Sequence, residues 1–275
     1  MMSRPLVSVI CLCHNHSQFV SVAIQSVFDQ THPDVELIIV DDGSIDGSKN
    51  QIEKEITGQE ISFINIENPL GNCKAFNLGL KKSSGSYIID LAADDVLLPK
   101  RIEEGLKTFH TKKIGIEFCN VLNIDDEEHE LGRHFSEKSY IPEGDIYVDL
   151  IKKYLISSPG MMIKREVLES LNGYDEELSY EDFDFWIRSS KQYHYGYTNK
   201  TLVKKRNIPG SLSKKQFKFL TKHQKSTLRV CQKIRALNQS KKENIALRNR
   251  CLYEVRQCLK QGNLNLIPKF LKLSI

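Results

Sequence analysis

The sequence has no apolar run that could cross a bilayer. Its N-terminal candidate, LVSVICLC, offers about seven apolar residues before turning polar at His14-Asn15-His16, against the ~20 that a spanning helix needs. It is equally short of a secretory leader and reads as a buried first strand. GxGxxG, P-loop and HExxH patterns and a serine-triad signature are all missing. This disfavours dinucleotide oxidoreductases, NTPases, zincins and α/β-hydrolases. The seven cysteines (11, 13, 73, 119, 231, 251 and 258) are odd in number and lack zinc-type spacing. They are read as reduced thiols of a cytoplasmic protein. No repeat or low-complexity tract is present.

Acids are almost absent from one region. Residues 200–275 carry 20 Lys and Arg but 2 Asp and Glu, a balance of +18, whereas the rest of the chain stands at −14. A basic region of this kind suits an anionic partner such as membrane lipid or a polyphosphate-linked acceptor, or packs on the acidic body. Nucleic acid is disfavoured, because Phe217, Phe219, Tyr253 and Phe270 occupy packing positions rather than a stacking array. With 275 residues, 40% hydrophobic and 27% charged, the chain suits one large α/β domain with an appendage.

Leu6–Cys11, Glu36–Val40, Ile61–Ile66 and Tyr87–Leu91 are continuous apolar runs of the sort a parallel sheet covered on both faces requires. Helical spacing separates them. Val20, Ala23, Ile24, Val27 and Phe28 form one stripe, Asp46 N-caps a helix through Ile52 and Ile56, and Ala75, Leu78 and Gly79 fit a third helix. Pro99 opens a fourth. Strands alternating with helices predict a doubly wound, mainly parallel sheet, whose ligands bind outside the carboxyl ends of the strands. Farther on, Arg165–Leu171 and Tyr180–Ser190 read as helices. Phe217, Leu220, Leu228, Cys231 and Ile234 mark one long amphipathic helix, and Ile245, Leu252, Val255 and Leu259 another. The charged stretch Asp125–Glu130 reads as a solvated hairpin or loop.

The residues after each strand are polar or acidic. Asp41-Asp42-Gly43-Ser44 can accept hydrogen bonds from a base or ribose, or simply make a strand-to-helix turn. Asp94-Asp95 repel one another unless a cation or donors satisfy them. Mg²⁺ or Mn²⁺ shared with substrate phosphates would do so, as would the start of a helix before Pro99. Glu181-Asp182 opens a helix, where acids are commonplace, yet it could also deprotonate a hydroxyl. Trp186 either walls a sugar site or packs in the core.

Taken together, Val7–Ser48, Gly71–Asp95, Ser157–Arg188 and Arg206–Ser213 resemble, in order, the signature blocks of family 2 glycosyltransferases, over about residues 5–213. The resemblance implies a GT-A fold and inverting transfer from a nucleotide-sugar donor, most often a UDP-sugar, to the hydroxyl of a glycan or lipid-linked acceptor. It implies a place in cell-surface polysaccharide or glycolipid synthesis, on the inner face of the membrane if the basic region docks there. Asp182 would be the general base, supported by Glu181, with Trp186 on the acceptor side. Asn15, Asp41, Asp42, Lys74, Asp94 and Arg206 would meet the nucleotide, and Asp94 and Asp95 would hold Mn²⁺ or Mg²⁺. The catalytic domain would cover 1–212, with halves at about 1–98 and 99–212, followed by basic amphipathic helices over 213–275. Three positions depart from the pattern. Ala92 stands where many members have Asp, Phe76 where an Arg is common, and no His lies near Ile208. An inactive nucleotide- or glycan-binding homologue and a nucleotidyltransferase are the alternatives; the latter's Gly-rich, Lys-containing loop is missing from Cys11–His16.

Overall fold

The computed structural model of the chain describes residues 4–109, 113–180, 182–208 and 223–275. Strands β1 (Val7–Cys13), β2 (Val35–Asp42), β3 (Ser62–Ile66) and β4 (Tyr87–Ala92) alternate with α1 (Val20–Phe28), α2 (Ser48–Glu55) and α3 (Asn72–Lys82). The four apolar runs are these four strands. All seven residues of β1 are buried, because β2 and β4 flank it in parallel and helices cover both faces. Val9 and Cys11 join Val20, Ala23, Ile24 and Val27 of α1 in one core. Ile10 faces the other way, onto α3. There Gly79 permits the contact, since a Cβ at that position would lie 2.5 Å from the Ile10 side chain. The helix that Asp46 was expected to cap begins one residue later than that role requires. Gly47, at φ 92°, is the N-cap, and Asp46 reaches across it to accept from the Ser48 N–H at 3.0 Å.

Next come β5 (Val96–Leu97), α4 (Arg101–Thr108), β6 (Ile114–Ile124), β7 (Glu130–Arg133), α5 (Tyr147–Lys152), β8 (Met161–Lys164), α6 (Arg165–Ser170), α7 (Asp182–Ser190) and β9 (His194–Arg206). Helices α8 (His223–Leu237), α9 (Lys241–Gln261) and α10 (Ile267–Leu273) follow. The sheet runs β3-β2-β1-β4-β8-β6-β9-β5, with β7 beside β6. It is mixed rather than mainly parallel: β1 to β4 and the β6–β9 pair run parallel, β8 enters antiparallel between β4 and β6, and β5 and β7 pair antiparallel with β9 and β6. The stretch at 125–130 makes the β6–β7 turn. All seven cysteines are free and buried.

The chain forms two compact units, and they interleave in sequence. The first takes 1–144, 156–174 and 193–207; the second takes 145–155, 175–192 and 208–275. The expected division at 212/213 falls outside the described residues, and α7 with its Asp182 groups with the basic helices instead. Within the second unit, the Arg250 guanidinium of α9 lies 4.3 Å from the Tyr154 ring and 4.5 Å from the Phe183 ring, and it pairs with Glu254 at 2.9 Å. Lys233 bridges Asp175 and Asp184. Part of the basic region is thus neutralised inside its own unit.

One expectation for this unit is corrected. In α8, Gln224, Leu228, Cys231 and Ile234 are buried as the periodicity requires, while Phe217 and Leu220 lie outside the described residues. In α9 the expected core stripe faces solvent: Ile245, Leu252 and Leu259 are exposed. The buried side is Ala246, Leu247, Arg250, Cys251, Glu254 and Cys258. Small side chains, thiols and a paired Arg–Glu supply the packing there, and a hydropathy pattern does not register them.

Candidate active site

The chain passes from β1 through β2 to β3 on one side and then returns to β4 on the other. The β1–β4 boundary is therefore the topological switch point, outside whose strand ends sheets of this kind bind their ligands. The turn after β1 touches the acids on both sides of it. His14 Nδ1 meets the Asp42 carbonyl at 2.7 Å, and His16 Nε2 lies 3.9 Å from the Asp94 carboxylate. Asn15 sits between them at φ 60°, a left-handed conformation that Asn tolerates better than most residues. Its amide oxygen accepts from the Ile45 N–H at 2.9 Å, and its own N–H donates to Ser44 Oγ at 2.8 Å. Asn15 thus locks the first turn to the Asp-Asp-Gly-Ser turn.

The two acids of that turn differ in what they have left to offer. Asp42 accepts the Leu70 N–H at 2.7 Å on one oxygen and the Gly71 N–H at 2.8 Å on the other, so it clamps the loop that leads into α3. Gly43, at φ 72°, sits against Pro69 of that loop, and any Cβ there would lie 2.7 Å from the proline ring. Asp41 takes the Ser44 hydroxyl on Oδ1, while its Oδ2 is buried and without a partner. Burial pushes the Asp41 carboxyl up, against the opposing pull of that hydroxyl. A ligand N–H arriving at Oδ2 would satisfy it. Lys74 is exposed on the first turn of α3, just past the clamped loop. Phe76 is fully buried and stacks on Tyr174 at 4.1 Å. The position where family members carry an Arg is thus a packing position here.

Asp94 and Asp95 lie on the far side of β1, both buried. Burial, and then the adjacent Asp94, push the Asp95 carboxyl well above the usual carboxylate range. Asp95 accepts the Arg206 N–H at 2.9 Å. The Arg206 side chain is committed to protein acceptors: Nε to the Asp94 carbonyl at 3.1 Å, one terminal nitrogen to the carbonyls of Asp125 and Asp126, the other to Glu128 at 3.0 Å. It is 3% exposed and stacks on Phe19 at 4.6 Å. Its geometry is that of a residue holding the acid-bearing loop and the β6–β7 turn together. The resemblance placed Arg206 on the leaving diphosphate instead, while 125–130, expected as a solvated hairpin or loop, is the hairpin turn that Arg206 holds.

Among the described residues no three His, Cys, Asp or Glu side chains converge on one point. The residues present nevertheless fit a hard divalent cation. Two adjacent carboxylates, one of them poorly stabilised as an anion, need positive charge. His16 beside them has its Nδ1 buried without a partner. Such cations are commonly held by one or two carboxylates, with substrate phosphates and water completing the shell. His16 was not singled out from the sequence; its place in the polar segment just past β1 was the available signal.

Asp182 belongs to the second unit. It is the first residue of α7, and its Oδ1 is buried without a hydrogen-bond partner. Glu181 lies outside the described residues. Trp186 is 2% exposed, which leaves no open face to wall a sugar; this corrects its expected acceptor-side role. The first unit also holds an open cavity of roughly 760 Å³ lined by Asn120, Arg133, Phe135, Glu143, Tyr197 and Lys200. None of the strand-end acids borders it, so the strand-end site with the partnerless Asp41 oxygen is the better one.

Comparison with known proteins agrees with this architecture. The family model described as Glycosyl transferase family 2 matches residues 8–171. An uncharacterized glycosyltransferase of Methanocaldococcus jannaschii is 34% identical over 211 residues, covering 74% of this chain and 72% of the relative. TuaG of Bacillus subtilis, a glycosyltransferase named for teichuronic acid biosynthesis, is 27% identical over 221 residues, covering 80% and 86%. Among solved structures, TarS 1–349 of S. aureus in complex with UDP-GlcNAc superposes with a TM-score of 0.77 at 16% identity, covering 98% of this chain and 79% of that one. The mannosyltransferase PcManGT of Pyrobaculum calidifontis, in complex with GDP-Man and Mn²⁺, gives 0.68 at 14% identity, covering 99% and 74%. The fold is GT-A, and the chain belongs to glycosyl transferase family 2.

Proposed function

We propose that this chain transfers a sugar, with inversion, from a nucleotide-sugar donor of the UDP-sugar class to a hydroxyl of a glycan or lipid-linked acceptor in cell-surface polysaccharide or glycolipid synthesis. The carrying observation is the switch point, where Asp41 keeps a buried oxygen without a partner and two adjacent buried carboxylates, Asp94 and Asp95, face each other's charge. Asp41 accepts a base N–H of the donor. Asp42 and Asn15 keep the surrounding turns in place, and Lys74 meets the diphosphate. Asp94 and Asp95 would hold Mn²⁺ or Mg²⁺, which when bound neutralises charge on the leaving diphosphate oxygen. TarS with UDP-GlcNAc supports this donor class, and the mannosyltransferase with GDP-Man and Mn²⁺ supports a nucleotide-sugar donor used with a divalent metal.

Asp182, with Glu181, removes the proton from the acceptor hydroxyl. That oxygen bonds to the anomeric carbon from the face opposite the leaving group, and the bond to the phosphate oxygen breaks with its electron pair. General-base assistance is worth about 10²–10⁴-fold. No described helix is long and apolar enough to cross a membrane. The protein works in the cytoplasm, held by its basic C-terminal helices at the anionic inner face of the membrane.

The test is a thermal-shift screen of nucleotide sugars with and without Mn²⁺, followed by product analysis. A UDP-sugar should raise Tm in a metal-dependent way, and Asp182→Asn should keep that shift while losing turnover. Failure of every nucleotide sugar to shift Tm, or equal loss of binding and turnover in Asp182→Asn, would overturn the assignment.

A further inference from the structure

The outward side of α9 combines two properties that water alone does not favour. Ile245, Leu252 and Leu259 recur every seventh residue and are 50%, 38% and 60% exposed. At about 100° per residue they drift by only ~40° over two heptads, so they form one line roughly 21 Å long. Lys241, Arg248 and Arg256 lie within about 60° of that line, with Lys242 and Lys260 at its border; all five are exposed. Tyr253, 46% exposed, stands at the edge.

The acids are turned away. Residues 223–275 contain two, Glu243 and Glu254. Glu243 reaches Lys191 at 2.6 Å and closes the capping box with Ser240. Glu254 is 4% exposed and paired with Arg250. Both sit about 160–180° from the apolar line. The outer face is therefore an apolar line within a cationic border, and no carboxylate interrupts it.

We infer that this face of α9 lies in the plane of an anionic bilayer, with Ile245, Leu252 and Leu259 in the acyl boundary and the flanking Lys and Arg on lipid phosphates. Amphipathic helices with basic polar faces bind membranes this way. A second copy of the chain is disfavoured as occupant, because symmetric pairing would oppose Arg248 and Arg256 with cations. A polyanion without an apolar layer would leave the leucine line in water. The inference rests on the membrane placement proposed above and is independent of the sugar chemistry.

The experiment is flotation of the full chain with vesicles of phosphatidylcholine alone and with about one third phosphatidylglycerol, in parallel with light scattering. The wild type should float only with the anionic vesicles. The triple variant Ile245→Ser, Leu252→Ser, Leu259→Ser and the double variant Arg248→Glu, Arg256→Glu should each weaken binding by about tenfold or more. Lys49→Glu, on α2, should match wild type. Unchanged donor-induced thermal shifts would show that the variants are folded and that the transferase reading stands by itself. Wild type that floats equally with neutral vesicles or not at all, variants that float like wild type, or a dimer that the same variants dissolve would each overturn the inference.

Discussion

Substituting Asn at position 42 and at position 41 should have opposite signatures, although the two residues are adjacent. Asp42 receives two backbone N–H groups, from Leu70 and Gly71, one on each oxygen. Hydrogen bonds to a charged acceptor contribute about 1.5–3 kcal/mol each. Asn keeps one accepting oxygen and turns an NH₂ toward the other N–H, so one bond is lost and a buried donor is stranded. Asp42→Asn should cost about 3 kcal/mol, a fall in Tm of roughly 6–12 °C for a protein of this size, with donor affinity falling secondarily as the loop before α3 loosens. Asp41 has a buried oxygen with no partner. Replacing its carboxylate by a neutral amide removes a burial penalty, so Asp41→Asn should leave stability within about 1 kcal/mol of wild type. It would, however, lose a charge-assisted bond to the donor, weakening binding by roughly ten- to a hundredfold. Urea unfolding and donor titration on both variants separate the roles. Unchanged unfolding in Asp42→Asn with abolished donor binding would refute the clamp. Unchanged donor affinity in Asp41→Asn would refute base recognition at that oxygen.

Gly43→Ala forces a left-handed conformation and drives a methyl into the Pro69 ring, so urea denaturation should show a loss of about 3 kcal/mol. Arg206→Ala removes a buried fork that joins the Asp94 carbonyl to the β6–β7 turn. The expected loss is about 3–5 kcal/mol in the same assay, with Arg206→Lys recovering only part because it lacks the planar geometry. Asp46 titrates at about 2: burial opposes this, but the Ser48 hydroxyl and the Ser17 and Ser48 N–H groups hold it down. A depressed carboxylate contributes stability above its unfolded pKa and loses it as pH falls through the folded value. The gap between wild type and Asp46→Ala, about 1 kcal/mol at pH 7, should therefore close between pH 4 and pH 2 in pH-dependent melts.

The parallel half of the sheet was legible because a strand buried on both faces is largely apolar, as β1, β2 and β4 are, while β3, a partly exposed edge strand, was found from Phe63, Ile64 and Ile66. The acid edge was legible for a related reason: ligands bind outside the strand ends in this topology, so Asp41, Asp42, Asp94 and Asp95 could be placed without knowing their contacts. Those contacts were not legible. The partners of Asp42 are backbone N–H groups 28 and 29 residues away, and a main-chain donor leaves no trace in residue type. The partners of Arg206 are mostly carbonyls, for the same reason. Helix α9 misled through chemistry: Leu247 is the one large apolar residue of its inner side, beside Ala246, two thiols, an Arg–Glu pair and Gln261, and the hydrophobic periodicity belongs to its outer side. The antiparallel direction of β8 was not legible, since pairing direction depends on connections that periodicity does not encode.

The interleaving of the two units sets how this protein can be cut and recombined. A break near residue 212 would strip α5 and α7 of Arg250 and of the helix that carries it, uncovering Phe183 and the face of the Tyr154 ring that Arg250 shields. It would not release an intact enzyme core. Homologous exchange of the C-terminal helices would have to bring along residues 145–155 and 175–192, or accept mismatched aromatic and guanidinium partners. Chimaeras built at a single junction should thus be insoluble.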